Sequence, residues 1–337
     1  IEHAMAASPG DRPSTAAEFG EQLRYAQQHH GLTAVGMALP CSVHSAAAGH
    51  DGVEATAAAP PPVPDSGPVG RSTGGRTPIV PSTKYRPPSP SGRLVERSRL
   101  LDALRAGKRR HLIVIHAPAG YGKTTLATQW RDILAGEGTA VAWLSIDPDD
   151  DNVVWFLSHL VEAIRQVRPA LARELGQVLE EHGDEVERYV LSTLINEIHS
   201  SGEQVAVVID DWHRVGSRET QAAMAFLLDN CCHHLQVIVT SRTRVGLPLS
   251  RMKVRNELLE IDAAALRFDR VESRSFLVDL AGLPLEQRNV EDLTDSTDGW
   301  VAALQLASLS LRGCDNPTQM IGRLSGRHQV IAEFLAE

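Results

Sequence analysis

The sequence lacks several features that mark secreted, membrane-spanning or nucleic-acid-binding proteins. It has only four cysteines in 337 residues, and their spacing is not that of a disulfide framework, which favours a reducing cytoplasm. No apolar run approaches the ~18 residues of a membrane span, and the N-terminus shows no signal-peptide pattern. Lys and Arg total 33 against 42 Asp and Glu, which gives a net charge of −9. This acidic balance argues against direct nucleic-acid binding by the segment and against an anionic membrane surface.

Aromatic residues make up only 4% of the chain, but the hydrophobic share of 42% is sufficient for an ordinary globular core. The length suggests about two domains. Because the chain begins with Ile1 rather than Met, we expect it to be a segment of a longer polypeptide.

Two N-terminal segments differ in composition from the rest of the chain. Residues 1–32 contain one amphipathic helical pattern, which a capping box of Thr15 and Glu18 introduces. One such helix cannot bury its own apolar face, so it predicts a helical remnant of a larger body. Residues 33–90 are rich in Ala, Pro, Gly, Ser and Thr, a composition that predicts a flexible, disordered linker.

From residue 91 onward, short β-branched runs alternate with helical stretches. Four such runs occur, at 111–115, 140–146, 205–209 and 235–239. Short, continuous apolar runs between helices are typical of a buried parallel sheet. The pattern predicts an α/β domain over residues 91–256, with a parallel β-sheet flanked by helices. After residue 257 we expect no further strand, so that residues 257–337 form an α-helical domain.

The first apolar run leads into a candidate phosphate-binding loop. Its residues are Ala117, Pro118, Ala119, Gly120, Tyr121, Gly122, Lys123, Thr124 and Thr125. Strand, loop and helix follow in the order that a P-loop requires, although an alanine replaces the first glycine of the strict pattern. Backbone amides at the helix start would face the β-phosphate, Lys123 would reach the β- and γ-oxygens, and the Thr124 hydroxyl would ligate Mg²⁺. The sequence therefore predicts an ATP or ADP site with Mg²⁺.

Three charged residues end the neighbouring predicted strands. Asp210 would hold the Mg²⁺, and Asp211 would orient or activate the attacking water. Two carboxylates that cap a following turn are the simpler alternative. Arg242 would read the γ-phosphate and stabilise charge in the transition state, and a surface arginine without this role is compatible with the same sequence.

Several motifs in a fixed order carry a resemblance to a known family. They are TKYRPPSPSGRLVERSRLLDAL, APAGYGKTTL, VVIDDWH, TSR and DGWVAALQLASLSL. Over about residues 83–337 the chain resembles the nucleotide-binding module of MalT-like regulators, which are signal-transducing ATPases with numerous domains (STAND).

This resemblance implies an ATPase of the P-loop class that binds ATP, ADP and Mg²⁺. It assigns Lys123 and Thr124 to the P-loop, Asp210 and Asp211 to the metal and the water, and Arg242 to a sensor role. An alanine is the usual first residue of the loop in that family.

The resemblance has two further implications. Arg97 matches a basic residue that family members carry before the first strand, near the nucleotide. Expected partners are the nucleotide, other domains of the same polypeptide, protein partners and a nucleotide-dependent oligomer.

The N-terminal run AMAASPGDRPSTAAEFGEQLR resembles the closing segment of a eukaryotic-type Ser/Thr kinase domain, with Arg12 in place of its ion-pairing arginine. The order of kinase end, linker and ATPase resembles an actinobacterial family of Ser/Thr kinases with a MalT-like regulatory region. The catalytic kinase motifs do not occur in this chain, so kinase activity would belong to the parent protein. The predicted function is an ATP-binding, slowly hydrolysing switch, with a non-hydrolysing scaffold as the alternative. A metabolic small-molecule kinase is disfavoured by the linker and by the lack of an acceptor lid.

Three polar or aromatic groups have structural interpretations. The adjacent residues Cys231–His234 cannot alone surround one tetrahedral ion, so we expect them to end a helix before the fourth strand. The acidic run Asp149–Asn152 is typical of a helix N-cap. Trp300 is expected in a core or an interface.

Overall fold

The computed structural model describes residues 81–90, 92–171, 186–312 and 321. The predictions for residues 1–32, and those for the linker up to residue 80, lie outside the described residues.

A sheet of five parallel strands forms the centre of the domain, in the order β2-β3-β4-β1-β5. The strands are β1 (Leu112–His116), β2 (Ala140–Ser145), β3 (Val205–Asp210), β4 (Leu235–Ser241) and β5 (Leu258–Ile261). The first four coincide with the predicted apolar runs, so the predicted parallel sheet is confirmed. Because all strands are parallel, their carboxyl ends lie on the same side of the sheet. The P-loop follows β1 on this side, and Asp210 ends β3 there.

The expectation that no strand follows residue 257 is wrong. β5 pairs with β1, with Leu259 opposite Ile113. This strand has only four residues and lies at the edge of the sheet, where three of its side chains are only partly buried. Its backbone pairing, which requires no continuous apolar run, therefore outweighs the helical appearance of the local sequence.

Ten α-helices occur among the described residues. They are α1 (Ser98–Ala106), α2 (Lys123–Gly136), α3 (Val153–Val167), α4 (Val186–Ser201), α5 (Arg218–Asp229), α6 (Leu249–Val254), α7 (Ala263–Leu266), α8 (Arg270–Arg274), α9 (Gln287–Ser296) and α10 (Val301–Leu311). A π-helical turn, Ser275–Leu280, continues α8. None of the helices in these ranges is both long enough and apolar enough to cross a bilayer.

The two faces of the sheet bury separate apolar clusters. Leu112 and Val114 point to the face covered by α3, α4 and α5, whereas Ile113 and Ile115 point to the face covered by α1 and α2. This alternation follows from the period of two along a strand. Because both faces of the sheet are covered, successive residues of each central strand must all be apolar, which agrees with the continuous apolar runs in the sequence.

The segment after β5 contains helices α7 to α10 between residues 263 and 311, as predicted, and has a core of its own. Phe268, Leu277, Leu293 and Leu304 pack together in this cluster, and Val95 from the segment before α1 joins them. The helical segment is thereby attached to the chain that precedes the first strand.

The chain is folded earlier than the predicted end of the linker at residue 90. Ser82–Tyr85 forms a 3-10 helix, and Lys84 within it is only 6% exposed. The ammonium of Lys84 donates to Asp150 (2.6 Å) and to Asp147, and His159 Nδ1 lies 2.6 Å from the other oxygen of Asp150. We call these four residues the Lys84 cluster. The sequence does not indicate that Lys84 is buried, because the lysine lies in a Pro-rich stretch and its ion-pair partners are more than sixty positions away.

The acidic run Asp149–Asn152 has more than one role. The Asn152 side chain accepts from Val154 N and Trp155 N at the start of α3, which confirms the N-cap prediction for this residue. Asp150 is instead fully buried. Burial tends to raise its pKa, but hydrogen bonds from His159 and Lys84 outweigh burial and hold the pKa below its ordinary value.

Candidate nucleotide-binding site

The P-loop joins β1 to α2 and adopts two left-handed turns. Gly120 and Gly122 have φ angles of 78° and 76°, values that favour glycine. Ala117 is 1% exposed, and its N–H donates to Ser241 O (3.2 Å) in continuation of the sheet. The position that a strict P-loop gives to glycine therefore needs no special backbone conformation here, and its methyl group packs in the core.

Lys123 is the first residue of α2 and lies inside the curve of the loop. It is 7% exposed, and its Nζ donates to Pro118 O (2.9 Å). Burial lowers the pKa of Lys123, the charge of Asp211 opposes this shift, and the charge of Arg242 adds to it. The Lys123 ammonium is therefore placed so that it could exchange its hydrogen bond to Pro118 O for one to a phosphate oxygen.

A short hydrogen-bond chain connects the P-loop to the two strands beside it. Thr124 Oγ1 donates to Asp210 Oδ1 (2.9 Å), and Thr240 Oγ1 donates to the same oxygen. Asp211 N–H in turn donates to Thr240 Oγ1 (3.1 Å). Thr240, fully buried at the end of β4, thereby fixes both predicted acidic residues. Burial raises the pKa of Asp210, although both threonine hydroxyls act against this shift.

The spacing of Thr124 and Asp210 fits Mg²⁺. Adjacent ligands in an octahedron with bonds of 2.0–2.1 Å lie about 2.9 Å apart. The hydroxyl and carboxylate oxygens, which are hydrogen-bonded to each other, have this separation. These are oxygen donors, which a hard cation prefers, and one of them is a buried carboxylate whose charge a cation would compensate.

Asp211 adopts a conformation that few side chains accept. Its φ and ψ angles are 64° and 36°, in the left-handed region where Asp and Asn are enriched. This backbone turn leaves the carboxylate 38% exposed, with His213 Nδ1 and Arg214 Nε each 3.7 Å from one of its oxygens. Asp211 therefore lies at the open side of the site, where a water molecule has access.

Positive charges surround this carboxylate. Burial lowers the pKa of His213, the charge of Asp211 opposes the shift, and the charges of Arg242, Arg214 and Lys123 add to it. These cations come from three loops at the same edge of the sheet. His213 and Arg214 were not among the predicted site residues, and their position close after the two aspartates, beyond Trp212, was the available signal. The predicted Arg242 is exposed at the end of β4, on the side of Lys123.

A cleft of about 840 Å³ opens beside the start of α2. It is lined by residues 88–90 and 92–94, by Thr124, Thr125 and Thr128, by parts of 276–281, and by α10. This volume lies within the range of small-molecule sites. The P-loop therefore borders a cavity large enough for the remaining part of a nucleotide.

The helical segment contacts the P-loop directly. Trp300 Nε1 donates to Ala119 O (3.2 Å), and Ala302 N donates to Gly120 O (3.0 Å). The rings of Trp300 and Tyr121 stack with centroids 6.1 Å apart. A Cβ at Gly120 would lie 2.6 Å from the Ala302 methyl, so this contact also requires glycine. The prediction of Trp300 in a core or an interface is confirmed, and the interface is with the loop.

Arg97 is placed in a different environment from the one that the resemblance implies. It is 4% exposed; its Nε donates to Glu272 Oε1 (2.9 Å) and its Nη2 to Leu266 O (2.8 Å). Its guanidinium also lies 4.6 Å from the ring centre of Phe268. These contacts favour a structural role in joining the segment before β1 to the helical segment. Nucleotide contact by Arg97 stays a prediction.

The comparisons with known proteins agree with this fold. Residues 90–239 match the AAA ATPase domain family. The whole chain is 56% identical to the serine/threonine-protein kinase PknK of Mycobacterium tuberculosis and spans 30% of that protein. Over 74% of its residues it is 32% identical to the HTH-type transcriptional regulator MalT of Yersinia pestis, of which it spans 27%.

Among solved structures, a STAND protein with a tetratricopeptide repeat sensor from Pyrococcus horikoshii matches 74% of this chain and 34% of its own, with a TM-score of 0.49 and 16% identity. The resemblance to a PknK-like sequence with MalT-like homology is confirmed by the curated relatives. The chain spans less than a third of the length of these relatives.

Proposed function

Because the chain is a PknK-like segment with an AAA-type P-loop ATPase module of MalT-like homology, we propose that it binds ATP and ADP with Mg²⁺ and acts as a slowly hydrolysing switch. The observation that carries the proposal is the hydrogen-bond chain from Thr124 through Asp210 to Thr240, with Lys123 beside it. Control of kinase or transcriptional output in a longer protein is part of the same proposal, and so is a location in the cytoplasm. The phosphotransfer site of a kinase would lie in a part of the relatives that this chain does not span.

In this proposal the P-loop holds the phosphates and the adjacent cleft holds the nucleoside. The amides that follow Gly120 and Gly122 face the phosphates, and the Lys123 ammonium binds β- and γ-oxygens in place of Pro118 O. The cleft shares Thr124 and Thr125 with the loop, so one ligand would occupy both. Thr124 and Asp210 would hold Mg²⁺, which would supply positive charge beside the phosphates.

Hydrolysis is assigned to the residues at the open side of the site. The exposed Asp211 carboxylate accepts hydrogen bonds from the attacking water and orients it. Arg242 and Lys123 face the negative charge of the γ-phosphate. Since no γ-phosphate is present in ADP, this group of charges distinguishes ATP from ADP.

The helical segment is the proposed element that responds to this difference. Trp300 and Ala302 bind carbonyls of the loop, so a change of loop conformation alters their contacts. Moving a two-state equilibrium almost completely requires about a 10⁴-fold difference in affinity, or ~5.5 kcal/mol. Contacts to a γ-phosphate and its cation are of sufficient number and charge to supply this difference. Protein partners and a nucleotide-dependent oligomer would be responses to the switch.

Isothermal titration of ATP against the Lys123→Ala variant tests the proposal. We expect the affinity for ATP to fall by about 10²-fold, because the loop loses the ammonium group that binds the phosphate oxygens in place of water. Lys108→Ala is the matched control, since this lysine is exposed and pairs with Glu137 far from the loop. Equal ATP affinity in the two variants would contradict the assignment. A non-hydrolysing scaffold, the alternative function, would bind ATP in the same way but release no phosphate.

A further inference from the structure

Three side chains that can bind a metal ion lie at the amino ends of the strands, on the side of the sheet opposite the P-loop. His199 is in the last turn of α4, and Cys232 and His234 lie between α5 and β4, at the amino end of that strand. Each of the three offers one ligand atom, and these atoms lie within 4.8 Å of one another. No other group of three His, Cys, Asp or Glu side chains with this arrangement occurs in the described ranges of the chain.

The backbone fixes two of these residues in position. Cys232 O accepts from Leu235 N (3.0 Å), and His234 O accepts from Val205 N (2.8 Å). Cys232 and His234 are therefore held between β3 and β4. His199 reaches them because α4 ends just before β3, through a left-handed turn at Gly202 (φ 67°).

The imidazoles form a compact group with an unsatisfied nitrogen. The rings of His199 and His234 have centroids 5.7 Å apart, and His233 packs 3.9 Å from His234. Among the residues that the structure describes, none forms a hydrogen bond to the buried Nδ1 of His234. A buried ring nitrogen without a partner is costly unless a ligand satisfies it.

From this geometry we propose that His199, Cys232 and His234 bind a Zn²⁺ ion. Two imidazoles and a thiolate suit a borderline-soft cation, whereas Mg²⁺ and Ca²⁺ require oxygen ligands. Ligand atoms around tetrahedral zinc lie roughly 3.3–3.6 Å apart. The present separation of up to 4.8 Å would therefore close by about 1 Å on binding, and His199 is the most exposed of the three ligands. On binding, the Cys232 thiol releases its proton to solvent, and a water molecule occupies the fourth position.

The sequence predicts that the four adjacent residues Cys231–His234 cannot alone surround one tetrahedral ion. The Cys231 thiol donates to Leu235 O (3.2 Å), so it is directed away from the cluster. The third ligand is His199, more than thirty residues earlier in the chain, and no local sequence pattern indicates that it lies near Cys232. Cys231 and Cys232 thus form a matched pair of neighbouring thiols in which one is a ligand.

Bound zinc would connect the end of α4 to the start of β4. The ion would hold two elements that the backbone already places side by side, and it would do so at the opposite edge of the sheet from Thr124 and Asp210. We therefore expect zinc to stabilise the domain without a direct effect on ATP affinity. This separation makes the zinc site independent of the proposed nucleotide function.

Titration of Co²⁺ and Zn²⁺ into the whole 337-residue chain, free of an oligohistidine tag, tests the site. We expect one equivalent of Co²⁺ to produce a thiolate charge-transfer absorption, which Zn²⁺ abolishes by displacement. Cys232→Ser should remove this absorption, and both Cys232→Ser and His199→Ala should weaken Zn²⁺ binding by about tenfold or more. Cys231→Ser is the control and should retain the absorption and the affinity.

Thermal denaturation without metal establishes that each variant is folded. Three outcomes would overturn the proposal: no Zn²⁺ binding at micromolar concentration, bound Co²⁺ without thiolate absorption, or equal losses in the Cys231 and Cys232 variants. ATP titration of Cys232→Ser provides a separate readout. The ATP affinity of this variant should equal that of the parent chain, because the zinc ligands lie far from the P-loop.

Discussion

Two buried aspartates near the carboxyl ends of the neighbouring strands β2 and β3 illustrate two uses of charge in one domain: Asp150 lies in the turn after β2, and Asp210 ends β3. Asp150, fully buried, is surrounded by Lys84, Asp147 and His159, and its pKa is lowered. Asp210, 7% exposed, has two threonine hydroxyls as its closest partners, and its pKa is raised. Burial acts in the same direction on both carboxyl groups, so the difference comes from Lys84 and His159, which contact Asp150 and not Asp210.

The difference separates a structural charge from a functional one. In the Lys84 cluster each buried charge is compensated within the protein, so no ligand is needed. At the P-loop the Asp210 and Lys123 side chains are both buried, and their nearest hydrogen-bond partners are neutral. A cation and a phosphate would complete both sets of contacts.

The largest expected effect is on the Lys84 cluster. Lys84→Ala leaves Asp150 buried without its cation, and we expect the free energy of unfolding to fall by about 3–5 kcal/mol. Denaturant unfolding measures this change. Lys108→Ala removes an exposed ion pair and should cost less than about 1 kcal/mol. If the two variants have the same stability, the Lys84 cluster does not hold the fold.

The next effect concerns Asp211. Asp211→Asn keeps a side chain that accepts the left-handed backbone, so the turn at φ 64° should persist. We expect ATP affinity to remain within about threefold and ATP turnover to fall by about 10²-fold, because the amide cannot accept the proton of water. Phosphate release and titration of the same sample separate the two quantities. Parent-like turnover would assign Asp211 to the turn alone.

A smaller effect is expected for the proposed γ-phosphate sensor. Arg242→Ala should weaken ATP binding by about tenfold and leave ADP binding nearly unchanged, because its contact exists only with a γ-phosphate. Arg244→Ala is the control. Arg244 lies two residues after Arg242 in the chain, and its guanidinium pairs with Glu260. Equal losses for ATP and ADP in the Arg242 variant would show a general binding residue instead of a sensor.

The smallest effect reverses the sign of the first. Asp210→Asn removes a carboxylate that burial disfavours and keeps an oxygen for Thr124 and Thr240, so the nucleotide-free chain should melt about 2–4 °C higher at neutral pH. Mg²⁺-dependent ATP affinity should fall at the same time. Calorimetry without nucleotide and titration with it give the two readouts.

The pH dependence provides a check on this cause. Because the pKa of folded Asp210 is raised, the folded state binds the proton more tightly than the unfolded state. The parent chain therefore loses stability as pH rises from the ordinary carboxyl pKa through the raised value. The difference in melting temperature between parent and variant should grow across this window and vanish below it. A constant difference would exclude ionisation of Asp210 as the cause.

The sequence predicted those parts of the fold that local patterns determine. Four strands and the P-loop were found because each consists of adjacent residues with a clear periodicity or motif. β5 was missed because LLEI owes its strand structure to pairing with β1. The roles of the predicted site residues stay predictions, although the structure brings Thr124, Asp210 and Asp211 together.

Long-range pairings were beyond the reach of the sequence. Lys84 lies in a Pro-rich stretch, and nothing near it indicates Asp150. Arg97 has a basic character that suits either a phosphate or an ion pair, and only the fold reveals Glu272 beside it. His199 likewise gave no sign of Cys232. Each of these contacts depends on where distant segments meet, which local propensity does not encode.

The position of β1 in the sheet has a consequence for synthesis of the chain. Both of its neighbours, β4 and β5, follow it by more than 100 residues, whereas β2, the next strand along the chain, is separated from it in the sheet by β3 and β4. At ribosomal speeds of about 5–20 residues per second, the segment LIVIH waits roughly 6–24 s before β4 has been made. During this interval an apolar strand and the loop behind it leave the ribosome unpaired. Among the described strands, the one that carries the phosphate-binding loop therefore waits longest for its partner while the protein is being made.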